Sequence, residues 1–510
     1  MTDEEYKDFE EKFNQEQEEK TQKRLAELEE KFPLQERLLR FEQERAKQKQ
    51  EKELKELEEF DGGEEPVDTS QFKLLTSQEL IRVLGLTIKK DELNKLVTFL
   101  AQLSAYTESC QLNISFNAPS SSGKSFIPLE ISYLFPEKDV IKLGGASPTA
   151  FFHDQGIYDK ETNTIRVDLA RKIIIFLDQP NVLLLEKLRS FLSHDEKEIH
   201  IKITDKNKGG GNRTKNVILI GFPVVIFCTA GLNLDEQEAT RFLLLSPEIN
   251  QEKLREAIYE KIKKEADSLS YKHWLESDPD RQLLKDRILA IKQVGITSIQ
   301  ISNPELVKKL FFARIKIPKP RHQRDIGRIL SLIKVFALIN MWFRDRNGGT
   351  LVANDEDITE AFKIWDILAE SQELNLPPYV LNLYKEVILP AFLEKNNGVV
   401  EGLIGLTRQN IVQKHFEVYG RFIPDWMLRQ QIIPLLETAG LITQETDPDD
   451  KRRTLVYPIN QLNISQEGNY IEEGGGVVAE QPIDQLTEDE KIELGKSVFG
   501  EGTKWAEEAV

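Results

Sequence analysis

Only two cysteines, Cys110 and Cys228, occur in 510 residues. So few exclude a disulfide-stapled secreted scaffold and point to a reduced, cytoplasmic chain. The six histidines are scattered, and no Cys/His spacing suits zinc, which argues against a zinc-binding primase module. No apolar run reaches 18 residues and no secretory apolar region is visible, so no membrane partner is expected. Glycine is missing from residues 3–58, a stretch of Glu, Lys, Gln and Arg with sparse apolar positions such as Phe9, Phe13, Leu25 and Leu28. That pattern predicts a solvated helix or weak coiled coil, interrupted near Pro33.

What is present is mostly charge. The net charge is −18, but residues 1–70 carry about −11 and residues 461–510 about −9, leaving the middle near neutral. The acid sits at the ends, and the body is free to hold basic surfaces. A chain of this length predicts three or four modules. Composition shifts divide it into a charged helical arm (1–62), an α/β nucleotide-binding domain (70–250), a helical lid (251–370), a winged-helix domain (376–460) and an acidic tail (461–510). The arm and the tail are candidate docking points for a protein partner.

Between Phe72 and Pro247 near-continuous apolar strands alternate with helical stretches. Strands are expected at 112–116, 140–143, 172–178, 224–229 and 241–245, in a parallel sheet covered on both faces. The segment from 250 to 370 reads as helical throughout.

The strand "LNISF" leads into "NAPSSSGKSF" and then into an amphipathic helix at 125–135. Read from Ala118, the turn is A-x-x-x-x-G-K-S. Its residues Ala118, Pro119, Ser120, Ser121, Ser122, Gly123, Lys124 and Ser125 predict a phosphate cradle for ATP. Small residues let backbone N–H groups crowd an anion, Lys124 supplies a point charge, and the Ser125 hydroxyl holds Mg²⁺. A flexible Ser/Gly linker would not sit between a buried strand and an amphipathic helix.

Other residues suit the same chemistry. "KIIIFLDQP" ends in Asp178, a carboxylate placed for Mg²⁺, followed by Gln179, an amide that orients water but accepts no proton at neutral pH. "VVIFCTAG" ends in Thr229, a candidate γ-phosphate sensor. Arg241, at the start of the next strand, would act as an arginine finger on a neighbouring subunit, or pair on the surface with Glu238. Arg324 and Arg328 lie one turn apart on a long basic helix; one of them, with Arg324 as the candidate site residue, is expected to reach the nucleotide from the helical lid, and the other to pack or pair on the surface.

Two regions suit DNA. "EIHIKITDKNKGGGNRTKNVILIGF" predicts a β-hairpin with a glycine tip. Lys202, Lys206, Lys208, Arg213 and Lys215 face one acid, Asp205, which suits phosphate-backbone contact. Residues 406–459 read as helix, turn, helix and wing, with Arg429, Gln430, Lys451, Arg452 and Arg453 as candidate DNA contacts. A solvated surface hairpin and a protein-docking wing are the blander alternatives.

These pieces together, "LSAYTESCQLNISFNAPSSSGKS", "FPEKDVIKLGGASPTAFF", "IIIFLDQP", "VVIFCTAG" with "DEQEATRFLLL", and "RDIGRILSLIKVFALI", resemble AAA+-type replicative helicases of mobile elements and phages. Minichromosome-maintenance helicases are more distant relatives. The resemblance implies a homo-oligomeric ring, often hexameric, that moves along DNA with ATP and Mg²⁺, single-stranded DNA passing through its pore. Gln179 departs from that family's acidic pair and predicts slow hydrolysis or a base elsewhere. The leading expectation is an ATP-driven DNA helicase or translocase. The alternative is an ATP switch, such as an initiator, loader or transposition regulator, that assembles on DNA and hydrolyses rarely.

Overall fold

Runs such as "IIIF", "VVIFCT" and "LLL" have no polar alternation, so a strand made of them must be covered on both faces. In the computed structural model they are three strands of a five-stranded parallel sheet. The structure describes residues 66–145, 156–159, 164–205, 213–230, 240–315, 317–347, 349–396, 404–448 and 450–459. The chain divides into a unit of residues 1–71 and a unit of residues 72–510. The helical arm expected at 1–62 and the acidic tail expected at 461–510 lie outside the described residues. So do Lys206 and Lys208.

Among the described residues fourteen strands follow in chain order: β1 (Ile114–Asn117), β2 (Val140–Leu143), β3 (Ile157–Asp159), β4 (Thr164–Asp168), β5 (Ile173–Phe176), β6 (Glu198–Asp205), β7 (Arg213–Ile220), β8 (Val224–Thr229), β9 (Leu243–Leu245), β10 (Ile299–Ile301), β11 (Arg346–Asn347), β12 (Thr350–Ala353), β13 (Ile442–Thr446) and β14 (Thr454–Pro458). The central sheet runs β2-β5-β8-β1-β9, every neighbouring pair parallel. Its strands alternate faces with a period of two. Ile173, Ile175, Val224, Ile226 and Cys228 join one core with the helices Glu92–Leu103, Phe126–Ser132, His322–Ile339 and Asp355–Glu373. Ile174, Phe176, Val225 and Phe227 join the opposite core.

That opposite core is closed by a second sheet, β3-β4-β7-β6, through Ile165, Val167, Val217 and Leu219. The hairpin expected around "KGGGN" is β6 paired antiparallel with β7, from Glu198 opposite Ile220 to Asp205 opposite Arg213. It is not free-standing: among the described residues β4 pairs parallel with β7 from Asn216 to Ile220.

Residues 251–370 depart from the all-helical expectation. A three-stranded sheet, β10-β12-β11, is set among the helices. Three- and four-residue strands are too short to register as periodicity, and the β11–β12 turn needs Gly349 at φ +88°, where a side chain is strained. A third core is drawn from residues between Leu376 and Val456, with the hairpin of β13 and β14 against the helices Arg408–Tyr419 and Ile433–Thr438. Among the described residues no helix is long and apolar enough to cross a membrane.

Candidate functional site

In an open parallel sheet, ligands bind outside the carboxyl ends of the strands where the winding direction reverses. Here β1 winds to β2 on one side, while β8 winds past β1 to β9 on the other. The reversal therefore falls between β1 and β8. Asn117 and Thr229 are paired there at the carboxyl ends of the two strands.

The turn 118–125 leaves β1 at that point. Ala118 N–H donates to the Thr229 carbonyl at 3.3 Å, splicing the turn to β8. Ser121 at φ +63° and Gly123 at φ +89° hold left-handed backbone, which curls the turn back on itself. A Cβ at Gly123 would meet nothing within 4 Å, so glycine serves the backbone conformation and leaves open space in front of the turn. The Ser122 hydroxyl is buried with no hydrogen-bond partner, and the Ser125 side chain makes no capping bond to the helix Phe126–Ser132. Lys124 Nζ has only a long contact, 3.5 Å, to the Pro119 carbonyl. An orphaned hydroxyl and a loosely held ammonium suit an anion such as a nucleotide phosphate.

The neighbouring strand ends supply the rest. Asp178 and Gln179 follow β5 and are exposed, and the Asp178 carboxylate accepts from the Gln179 N–H at 2.8 Å. Thr229, only 2 % exposed, donates its hydroxyl to Gln179 Oε1 at 3.1 Å. The Thr229 hydroxyl and the Gln179 amide thus hold each other at the end of β8. Cys228 Sγ donates to the Lys124 carbonyl at 3.4 Å. Burial pushes the Cys228 thiol up to about 11, against the Ser125 hydroxyl bond and the Lys124 charge, while Asp178 adds to the rise. The same interactions put Ser125, Lys124 and Asp178 around one sulfur, so a metal held by Ser125 and Asp178 would draw its ligands from the segments after β1 and β5, on either side of β8.

Arg241 and Arg324 lie elsewhere. Arg241 Nε donates to Ser193 Oγ at 2.9 Å, and Arg324 donates to the Thr240 hydroxyl. Both line a cavity of about 320 Å³ with Gln111, Asn113 and Arg328. These residues precede β1 and β9, so they sit at the amino edge of the sheet, away from the turn. β1 alone spans roughly 13 Å at about 3.3 Å per residue. The helix His322–Ile339 thus places Arg324 beside Thr240, at the amino edge, rather than beside the turn 118–125. Arg328 is committed to structure. It donates to the Thr240 and Phe242 carbonyls at 2.8 and 2.9 Å and pairs with Asp325, and burial pushes its guanidinium down to about 10.

Of the expected DNA-facing residues, Arg213 and Lys215 fall in β7 next to the tip and Lys202 is exposed on β6. Arg429 and Gln430 are exposed on the second helix of the 404–459 region, within a π-helical turn, Leu428–Ile432. Lys451, Arg452 and Arg453 are exposed in the β13–β14 turn, where Arg453 pairs with Asp450 at 3.3 Å.

Two features escaped the sequence reading. Phe416 and Phe422 stack with ring centroids 4.4 Å apart, and Phe422 and Trp426 are exposed beside Arg429. Beside the 118–125 turn, a cavity of about 390 Å³ opens between Thr87–Asp91, the turn, and the helix Gln251–Ala266. Asp91 is the tie: it pairs with Lys253 and accepts from the Glu248 N–H at 2.8 Å and from Asn94 at 2.9 Å. No local spacing links residue 91 to residue 253, so only the fold brings them together.

A scan against protein-family models and a search of curated proteins each found no match to the chain.

Proposed function

We propose that this chain is an AAA+-type P-loop ATPase that works on DNA, resembling the replicative helicases of mobile elements and phages, with a winged helix at 404–459. One observation carries the reading. The turn 118–125, Asp178 with Gln179, and Thr229 come from three sequence-distant segments and meet at the carboxyl ends of β1, β5 and β8, at the winding reversal. Backbone N–H groups and Lys124 hold the triphosphate, Ser125 and Asp178 hold Mg²⁺, and Thr229 with Gln179 orients the attacking water. Bound Mg²⁺ supplies charge neutralisation on the phosphate oxygens.

Arg241 and Arg324 at the opposite edge support a head-to-tail oligomer. In such a ring one subunit presents its amino edge to the next subunit's carboxyl edge, and both arginines meet a neighbour's phosphates. The slower ATP-switch reading rests on Gln179, which holds the place where a carboxylate would polarise water.

The decisive measurement is calorimetric titration of Mg-ATP. Lys124→Ala removes the charge on the β/γ-phosphates, and affinity falls at least about ten-fold. Equal affinity in the variant removes the turn from the site. ATPase rate with and without single-stranded DNA then separates motor from switch: strong stimulation supports the motor, and a flat, slow rate supports the switch.

A further inference from the structure

The helix Gln251–Ala266 keeps almost nothing for the core: of its sixteen residues only Lys253 is buried. Leu254, Ile258 and Ile262 recur at every fourth position, so they form one stripe along one face. Ile258 is 59 % exposed and Ile262 60 %, and Tyr259 and Leu269, the latter just past the helix, are exposed too. An amphipathic helix normally turns its apolar stripe to the core, and a contiguous apolar patch left in water marks an interaction surface. The stripe begins beside the candidate site. Leu254 also lines the cavity that opens at Ser121, Ser122 and Gly123 of the turn.

A matching hollow lies on another part of the chain. An apolar groove of about 650 Å³ runs between the helix Pro304–Ala313 and the start of the helix His322–Ile339. Val307, Phe311, Phe312, Ile326 and Leu330 line it, and Phe312 is more than half exposed. Gln323 lines both this groove and the amino-edge cavity that holds Arg241 and Arg324. The stripe therefore adjoins the turn, and the groove adjoins the two arginines. Within one copy the stripe stays exposed and the groove stays open.

We propose that the stripe of Leu254, Ile258 and Ile262 on one copy of this chain seats in the groove of the next copy. The inference rests on the head-to-tail reading and adds the two surfaces that hold neighbours together. Stripe and groove are different surfaces, so the contact is heterologous and repeats from copy to copy instead of closing as a two-fold dimer. A second copy is the occupant because of where the two surfaces lie. Seating the stripe carries its own turn 118–125 toward the neighbour's arginine edge. One contact thus buries both apolar surfaces and assembles a composite site.

The test is thiol cross-linking of the full chain with Mg-ATP present. Cys110 and Cys228 are buried, so introduced thiols are the reactive ones. Ile258→Cys protein mixed with Phe312→Cys protein is expected to give a dimer with a short thiol-reactive cross-linker, and neither variant alone is. The double variant is expected to give a ladder of linked copies. Dimers from Ile258→Cys alone would mean a stripe-to-stripe contact and would overturn the groove as its seat. Sedimentation gives an independent arm. Ile258→Asp with Ile262→Asp is expected to stay monomeric at a concentration where the wild type assembles, and to bind Mg-ATP with wild-type affinity by calorimetry. Both side chains are more than half exposed, so the charges meet water and the fold is kept. A monomeric wild type, wild-type assembly by the double Asp variant, or no cross-link in the mixture overturns the contact. If any of these comes with Mg-ATP still bound, the phosphate reading stands without the contact. If cross-linking and assembly follow expectation but Mg-ATP does not bind, the contact stands and the phosphate reading falls.

Discussion

In the ATPase reading, Gln179 is the residue on which turnover depends. Its amide oxygen accepts the Thr229 hydroxyl at 3.1 Å, so it is held, but it cannot take a proton from water. Gln179→Glu puts a carboxylate on the same bond and is expected to raise the steady-state ATPase rate several-fold. A fall in rate would show that the site is built around the amide. Cys228 is a contrasting case. It lies against Lys124, yet burial holds the thiol neutral, with its pKa pushed up to about 11, so it packs rather than reacts. The identity of these residues was legible in one dimension, because Lys124, Ser125 and Asp178 each sit at the end of a readable strand. Their partners were not: nothing local says that residue 179 meets residue 229.

At the scale of elements, the β6–β7 hairpin carries the clearest prediction. Arg213–Lys215 lie in β7, which pairs with β6 from Arg213 to Ile220 and with β4 from Asn216 to Ile220. Backbone contacts release counterions, and each lost contact lowers the log–log salt slope of DNA binding by about 0.7–0.9. Lys208→Ser with Arg213→Ser is expected to weaken binding to all sequences alike and flatten that slope, leaving ATP affinity untouched. Wild-type affinity and slope in the double variant would move DNA binding to the 404–459 region, where Trp426 stands 50 % exposed beside Arg429. The hairpin was readable from alternation and a glycine tip. Its membership of a four-stranded sheet was not, because β3 and β4 are short and β4 pairs with β7 some fifty residues away.

At the scale of the whole molecule, the two edges of the central sheet hold different chemistry. In the ring reading Arg241 acts on the next subunit, so Arg241→Ala keeps ATP binding and loses hydrolysis. Mixing Arg241→Ala with Lys124→Ala subunits is expected to recover part of the activity, because some interfaces then pair an intact turn with an intact arginine. No recovery at any ratio, in oligomers shown to mix, places Arg241 in its own subunit's site or outside catalysis. Stability carries a pH signature as well. Burial, outweighing the Arg421 carbonyl bond, lowers the pKa of His415, and burial likewise lowers that of His194. The unfolded chain therefore binds more protons than the folded one between about pH 6.5, the ordinary histidine value, and the lower folded values. Stability is complete above that window and falls as pH drops through it. Thermal melting from pH 7.5 to 5.5 is expected to show the decline, and His415→Gln to make it shallower. A slope unchanged in the variant assigns the decline to other groups.

Local composition was enough to settle which segments are strands of a buried parallel sheet and to single out the 118–125 turn as a candidate phosphate cradle. Each of those depends on neighbours within a few residues: continuous apolar runs demand cover on both faces, and a glycine between small residues permits left-handed backbone. The order β2-β5-β8-β1-β9 is a matter of long-range pairing and has no local signature. From that order follow the meeting of Asp178, Thr229 and the turn, the removal of Arg324 to the far edge, and the cavity between Asp91 and Lys253. Periodicity records which face of an element is apolar; it does not record which other element covers that face.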